Sequence, residues 1–551
     1  MQARRLKAAV AVAAAVTLAV TGCAESKRGG EKSAKSTLVF GAAGAPETFD
    51  PTFATDGETF RVARQMYETL LDHKPGTAEL SPGLAESWEP NDDGTAWTFK
   101  LRENVKFHDG TDFNAEAVCF NYDRWHNLDT EAAQAQAIYY LDVFGGFKSN
   151  KGEYGETPYV GCEATDTHTA VIKLKEFQGK FPAAFSLTSL SISSPTAMQK
   201  YDADNVVQEG ETFAYPDYAT KHPTGTGPFK FVKYDEANET ATLERFDGYW
   251  GGKAKLKKLL FKTIPDENAR KQELQAGTID GYDLPSPADY QTLKDEGFKL
   301  EIRDAFNVLY LGINQRGPAK ELSDIRVRKA IAHAMNREQL VKTKLPEGAS
   351  VATQFMPDSV LGYADDVEKY DYDLDKAKAL LKEAGAENLK VKFYYPTEVT
   401  RPYMPNPKEI FQVLSDDLAK AGIEVEPVAK PWTEYLDAIS QTRKHDLHLL
   451  GWTGDFNDPI NWNGTFFGRG QKGFGTEGMK DMFAAIAKAD SIVDQAEKES
   501  AWQEVNRRLL SEWLPAVPVS HSPPGIVVKG NIKGLVASPL TAEKFNTVYF
   551  S

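Results

Sequence analysis

NPKEIFQVLSDDLAKAGIEVEPV, residues 406–428, contains both halves of an α/β unit. Asn406 is a helix-capping side chain and Pro407 suits the first helical position. Ile410, Phe411, Leu414 and Leu418 then recur at the three- and four-residue spacing of one helix face. Gly422 supplies the left-handed residue that ends a helix, and IEVEPV behind it reads as a strand. DLDKAKALLKEAG (373–385) repeats this pattern, with Asp373 as the cap, and feeds the strand LKVKFYYP. The chain after about Asn307 is therefore predicted to be α/β, with helices packed on a sheet.

Upstream, strand signals dominate. In AWTFKL (96–101), Trp97, Phe99 and Leu101 alternate with Thr98 and Lys100 behind the turn NDDG, the pattern of a hairpin strand with one buried face. GPFKFVKYD, ATLERF and LKKLLFKTI make residues 227–264 strand-rich. At 551 residues the chain has room for roughly three or four domains, and no internal repeat interrupts it.

The first 23 residues have the order of an export signal: Arg4, Arg5 and Lys7, an uncharged Ala/Val/Leu run, and then VTGC. The run is too short and alanine-rich for a membrane span. Thr21-Gly22 before Cys23 is similar to the lipobox, so residues 1–22 are expected to be cleaved and Cys23 to carry a lipid, with 23–36 as a polar tether. Outside the cytoplasm, Cys119 and Cys162 read first as a disulfide, with two buried free thiols as the alternative. A formal net charge of −15 argues against nucleic acid as a partner.

Motifs for catalysis are missing. There is no G-x-S-x-G and no H-E-x-x-H; HDLH (445–448) spaces two histidines three apart, but DLHLL alternates like a strand. DYDLDK at Asp371 lacks the glycine of a calcium loop and reads as a helix cap. No cofactor, no metal and no enzyme activity are expected.

AESWEPNDDGTAWTFKLRENVKF (85–107) resembles the signature of the family 5 extracellular solute-binding proteins, which serve ABC importers. FDPTFATDGETF, GTGPFKF, FDGYWGG, DIRVRKAIAHAMNREQL, YDYDLDKAKALLKEAG and LPAVPVSHS follow in the family's order, so the resemblance runs from about Ser36 to Ser551. It implies an α/β, two-lobed periplasmic-binding-protein-like fold (type II, cluster C) with an extra inserted domain. The first lobe would comprise 37–71, 189–306 and 516–551, the extra domain 72–188 and the second lobe 307–515. The crossings would lie in NVLYLGINQ and LPAVPVSHS, and the two lobes would close on a ligand.

Two segments, TRPYMPNPKEIFQVLSDDLAKAGIEVE (400–426) and GWTGDFNDP (451–459), are similar to those of the dipeptide-binding members. In those members the arginine of R-P-Y-x-P-N grips the ligand's carboxylate and the first aspartate after G-W-T-G holds its ammonium. Carried over, these are Arg401 and Asp455, with Tyr403, Gly451, Trp452, Thr453 and Gly57 as further ligand-binding positions.

The chemistry suits the task. A dipeptide separates its terminal charges by roughly 7 Å, a planar guanidinium can pair bidentately with a carboxylate, and a carboxylate accepts from several N–H donors. Strand LHLLGW is expected to bond the peptide backbone by edge addition, with Gly451 and Gly454 opening room for it. Asp458 reads as a turn residue. FNDPINWNGTFF after Asp455 departs from the dipeptide-binding pattern at Phe456 and leaves tripeptides or modified peptides open. The expected partners are a short peptide, ABC importer permease subunits and the membrane through the lipid anchor, with the protein itself a monomer. Alternatives are nickel, haem or an oligosaccharide as cargo, or a secreted peptidase.

Overall fold

The computed structural model describes residues 35–149, 157–210 and 212–551, so Cys23 and most of the polar tether lie outside the described residues. The local sequence signals act as their chemistry requires. Asn406 Oδ1 accepts from Glu409 N at 3.2 Å and starts the helix Pro407–Lys420, and Gly422 follows it at φ +93°. Asp373 caps Leu374–Glu383 through Lys376 N at 2.9 Å. Ile410, Leu414 and Leu418 are fully buried, so the predicted face is the one that packs.

These helices connect strands of a six-stranded sheet ordered Ser350–Val351, Ala516–His521, Asn307–Ile313, Leu447–Thr453, Lys390–Thr397, Glu424–Pro431. The last three strands run parallel to one another, as crossovers through helices dictate. A second sheet of seven strands is ordered Phe229–Asp235, Thr240–Arg245, Lys258–Thr263, Thr37–Ala42, Gly281–Asp283, Gly525–Lys529, Phe298–Ile302. The two sheets are the cores of the two lobes.

Between the first and second segments of the seven-stranded lobe the chain builds a four-stranded antiparallel sheet: Ala85–Pro90, Ala96–Leu101, Thr169–Leu174 and Tyr159–Asp166. Trp97, Phe99 and Leu101 face its core, as the alternation predicts. The helix Ala115–His126 covers it, and a disulfide joins Cys119 on that helix to Cys162 on the strand.

The chain crosses between the lobes at 303–306 and again at 522–524. Asn307 ties the crossings together: Nδ2 donates to Ser522 O at 2.7 Å, and Ser522 N donates to Asn307 Oδ1 at 3.0 Å. This moves one expected boundary. Ala516–His521 belongs to the six-stranded sheet, paired with Asn307–Ile313, so residues 516–521 are part of the second lobe and not the first. The ladder ends where Pro523 and Pro524 remove two backbone donors.

Beside the crossings lies a buried charge network. Arg303 donates to Asp283 Oδ1 and Glu543 Oε1, both at 2.6 Å, and Arg61 pairs with Asp283 from the other side. All four side chains are at most 4% exposed.

Candidate peptide-binding cleft

Three neighbouring parallel strands of the six-stranded sheet deliver chemistry at their C-terminal ends, the position where open α/β sheets bind ligands. Lys390–Thr397 leads to Arg401, Glu424–Pro431 leads directly to Trp432, and Leu447–Thr453 leads to Asp455. Arg401 is held by a two-way backbone pairing with Met404, at 3.1 and 2.9 Å, and its guanidinium lies 4.2 Å above the Trp432 ring centroid. Its buried Nε has no hydrogen-bond partner, and Arg401 makes no ion pair among the described residues. A charged fork resting on an aromatic face without an acid beside it is chemically suited to a carboxylate.

Asp455 follows the strand end through Gly454. Asn461 fixes it twice, accepting from Asp455 N at 2.8 Å and donating Nδ2 to Asp455 Oδ2 at 3.2 Å. Tyr139, from the inserted domain, donates its hydroxyl toward both carboxylate oxygens at 3.4 Å. Burial pushes the Asp455 carboxyl up to about 6, against the opposing pull of Asn461, Arg64 and Tyr139. Asp455 also makes no ion pair within 4 Å among the described residues.

The two predicted charge readers therefore share one edge of the sheet but not one of the described cavities. Asp455 lines a cavity of about 40 Å³ with Arg64, His73, Thr188 and Lys544. Trp452 and Asn461 line another of about 240 Å³ with Tyr139, Leu187, Phe456 and Ile460. The loop holding Arg401 flanks a third, about 850 Å³, between first-lobe residues 265–268 and 284–289 and second-lobe residues 343–345, 396–400 and 405–409.

The other predicted positions divide. A Cβ on Gly451 would stand 2.2 Å from Val308 O and 2.4 Å from the Tyr403 ring, so the glycine admits Tyr403 and not a ligand. Gly454 likewise admits Phe306 and Trp462. Edge addition along LHLLGW is restricted for the same reason: Tyr435 Oη donates to Leu449 O at 2.6 Å, and Tyr403 covers Gly451. Thr453 Oγ1 is buried without a partner at the strand end, and Trp452 Nε1 reaches Asn461 at 3.4 Å. Gly57 begins the helix Gly57–Met66 with open space beside it. Asp458 does cap a turn, through Ile460 N at 2.9 Å, and also makes a buried ion pair with Lys498 at 3.0 Å. Phe456 is 4% exposed and buried in the core of the inserted domain.

Sequence reasoning missed Arg64, Tyr139 and Asn461. Nothing in their local sequence distinguishes Arg64 or Tyr139, while Asn461 lies within the same loop and could have been found as a side chain able to bond back to Asp455.

The model of "Bacterial extracellular solute-binding proteins, family 5 Middle" matches residues 79–474. This chain belongs to that family. Its relatives include the dipeptide-binding protein of Escherichia coli, 32% identical over 93% of this chain and 94% of the relative. Heme-binding protein A of Haemophilus influenzae is 29% identical, with 98% of each covered. Among solved structures, the ABC transporter-associated periplasmic binding protein DppA from Helicobacter pylori, in complex with peptide STSA, superposes with a TM-score of 0.77. It is 27% identical and covers 94% of this chain and 98% of that one. As a family 5 solute-binding protein the chain works outside the cytoplasm, and no described helix is long and apolar enough to cross a membrane.

Were Asp455 to meet the cargo's amino end, its raised carboxyl would make capture pH-dependent: the ammonium would stabilise the ionised form, lower its pKa and release protons below about 6. Affinity for a free dipeptide is expected to be nearly flat above pH 6.5 and to fall roughly fivefold between pH 6 and 5. Calorimetry across this range checks it: a pH-independent affinity, or an unchanged profile in Asp455→Asn, contradicts a charged Asp455 in the complex.

Proposed function

We propose that this protein captures dipeptides or short oligopeptides, closes its two lobes on them and delivers them to an ABC importer. The observation that carries the reading is the placement of Arg401 and Asp455. A guanidinium and a carboxylate stand at the ends of adjacent parallel strands, and neither makes an ion pair within 4 Å among the described residues. Peptide-named relatives support it, as does the likeness to a peptide-bound structure. A ligand touching both lobes favours the closed state, and closure creates the surface an importer reads.

In this reading the protein is a monomeric carrier and not an enzyme, tethered through lipidated Cys23. The first lobe spans 37–71, 189–306 and 522–551, the inserted domain 72–188 and the second lobe 307–521. Arg401 reads the cargo's carboxylate and Asp455 its amino end.

Native mass spectrometry with a dipeptide library and haem tests the function. Retention of dipeptides at micromolar concentration, about −8 kcal/mol, is the expected result. Retention of haem and no peptide would assign the cleft to the other cargo represented among the relatives.

A further inference from the structure

Asp455 is approached by a cation that the sequence pattern gave no reason to place there. Arg64 sits on the helix Gly57–Met66 of the first lobe. Its Nε donates to Thr188 Oγ1 at 2.8 Å and its Nη1 to Thr541 O at 3.1 Å, while the guanidinium stands 5.1 Å from the Phe60 ring centroid. Phe60 in turn packs on Tyr139, 5.6 Å between centroids, and Tyr139 is the residue that donates to Asp455. The cation is thus aimed from one lobe at an acid of the other, across the 40 Å³ cavity that both line.

The remaining charges of that cavity are already committed. Lys544 pairs with Asp72. Glu68 accepts from Thr226 Oγ1 at 2.7 Å, Tyr249 Oη at 2.8 Å and Trp250 Nε1 at 2.9 Å. Arg64 is hydrogen-bonded only to neutral oxygens and lines the cavity with Asp455, which acts on its charge more strongly than Glu543 does. Burial draws the Arg64 guanidinium down to about 10, with Asp455 the first of the groups that oppose the shift. An aspartate compensated in this way does not depend on an ammonium for its counter-charge, and an arriving ammonium meets repulsion from the cation behind it.

We infer that Arg64 is a specificity-determining residue, a resident counter-ion of Asp455 that lets the cleft accept peptides with an acylated or otherwise uncharged amino end alongside free ones. The inference rests on the peptide reading above and specifies the cargo class for that site.

The test is the ratio of dissociation constants for N-acetyl-Ala-Ala and Ala-Ala at pH 8, in the wild-type protein, Arg64→Met and Arg64→Lys. The wild type is expected to prefer the free form by less than about fivefold. Arg64→Met is expected to widen the preference by at least about tenfold, and Arg64→Lys to restore it, as expected of a charge sharing a small cavity of intermediate dielectric. Thr188→Val, which removes the hydroxyl that aims Nε, should widen the ratio in the same direction and keeps the test decisive if Arg64→Met does not fold. A wild-type preference already above about fiftyfold, or the same ratio in every variant, overturns the role of Arg64 while leaving peptide capture intact. Failure of the wild-type protein to bind either peptide overturns the peptide reading and this inference with it.

Discussion

Arg303→Met is expected to lower the unfolding free energy by about 3–5 kcal/mol, the loss typical of removing one partner from a buried ion-pair network. The Arg303 side chain is fully buried and holds two carboxylates, Asp283 and Glu543, each at 2.6 Å. Burial alone would raise the Asp283 carboxyl, but Arg303 and then Arg61 outweigh it and hold the group down at about 2. Without Arg303, Arg61 is left to compensate both acids, with its closest approach to Glu543 only 3.9 Å. Methionine restores volume but no charge.

The network lies where residues 303–306 cross between lobes, and Arg303 N also donates to Pro524 O at 3.0 Å on the other crossing strand. The loss should therefore reach the hinge as well as the first-lobe core. Urea unfolding followed by circular dichroism measures it. A change below about 1 kcal/mol would mean that solvent, rather than Arg303, compensates the two acids.

Asp455→Ala should have the largest effect on cargo. The variant keeps Arg64 in place, so a free dipeptide would bring its ammonium toward an uncompensated cation in a partly buried site. Leaving one member of a close charge set unpaired costs about 2–5 kcal/mol, which corresponds to a loss of at least thirtyfold. The N-acetylated peptide lacks the ammonium and should lose far less, so the variant is expected to invert the preference between the two. Calorimetry with both peptides decides it: equal losses would show that Asp455 shapes the loop through Asn461 and does not read the amino end.

The second lobe and the inserted domain were legible where local chemistry dictates structure. Asn406, Pro407 and Gly422 bound a helix by capping, and Trp97, Phe99 and Leu101 declare a buried strand face, because these effects act over a few residues. Arg401 and Asp455 were legible through segments similar to family members. What surrounds Asp455 was not, because Arg64 and Tyr139 arrive from the first lobe and the inserted domain, and only the tertiary arrangement makes them neighbours.

Two glycines illustrate the same limit. Gly451 and Gly454 mark close approach, as the sequence suggests, but a glycine does not say what approaches, and here aromatic side chains do. Phe456 marks a departure from the dipeptide-binding pattern, and the sequence does not say where it goes: it packs into the inserted domain's core, joining the loop of Asp455 to that domain. The end of the second lobe was missed because AVPVSHS (516–522) carries no break in composition that marks a boundary. Pairing with Asn307–Ile313, not composition, assigns it.

The central claim is that Arg401, a cation stacked on Trp432 and lacking an acid, reads the carboxylate of the cargo. Calorimetry of Ala-Ala against Ala-Ala-amide, in the wild-type protein and in Arg401→Leu, tests it most directly. The account predicts that amidation weakens binding to the wild type by at least about tenfold, the worth of a charge-assisted pair, and changes binding to Arg401→Leu by less than about twofold. Equal affinity of acid and amide in the wild type, or the same amide penalty in both proteins, would contradict it.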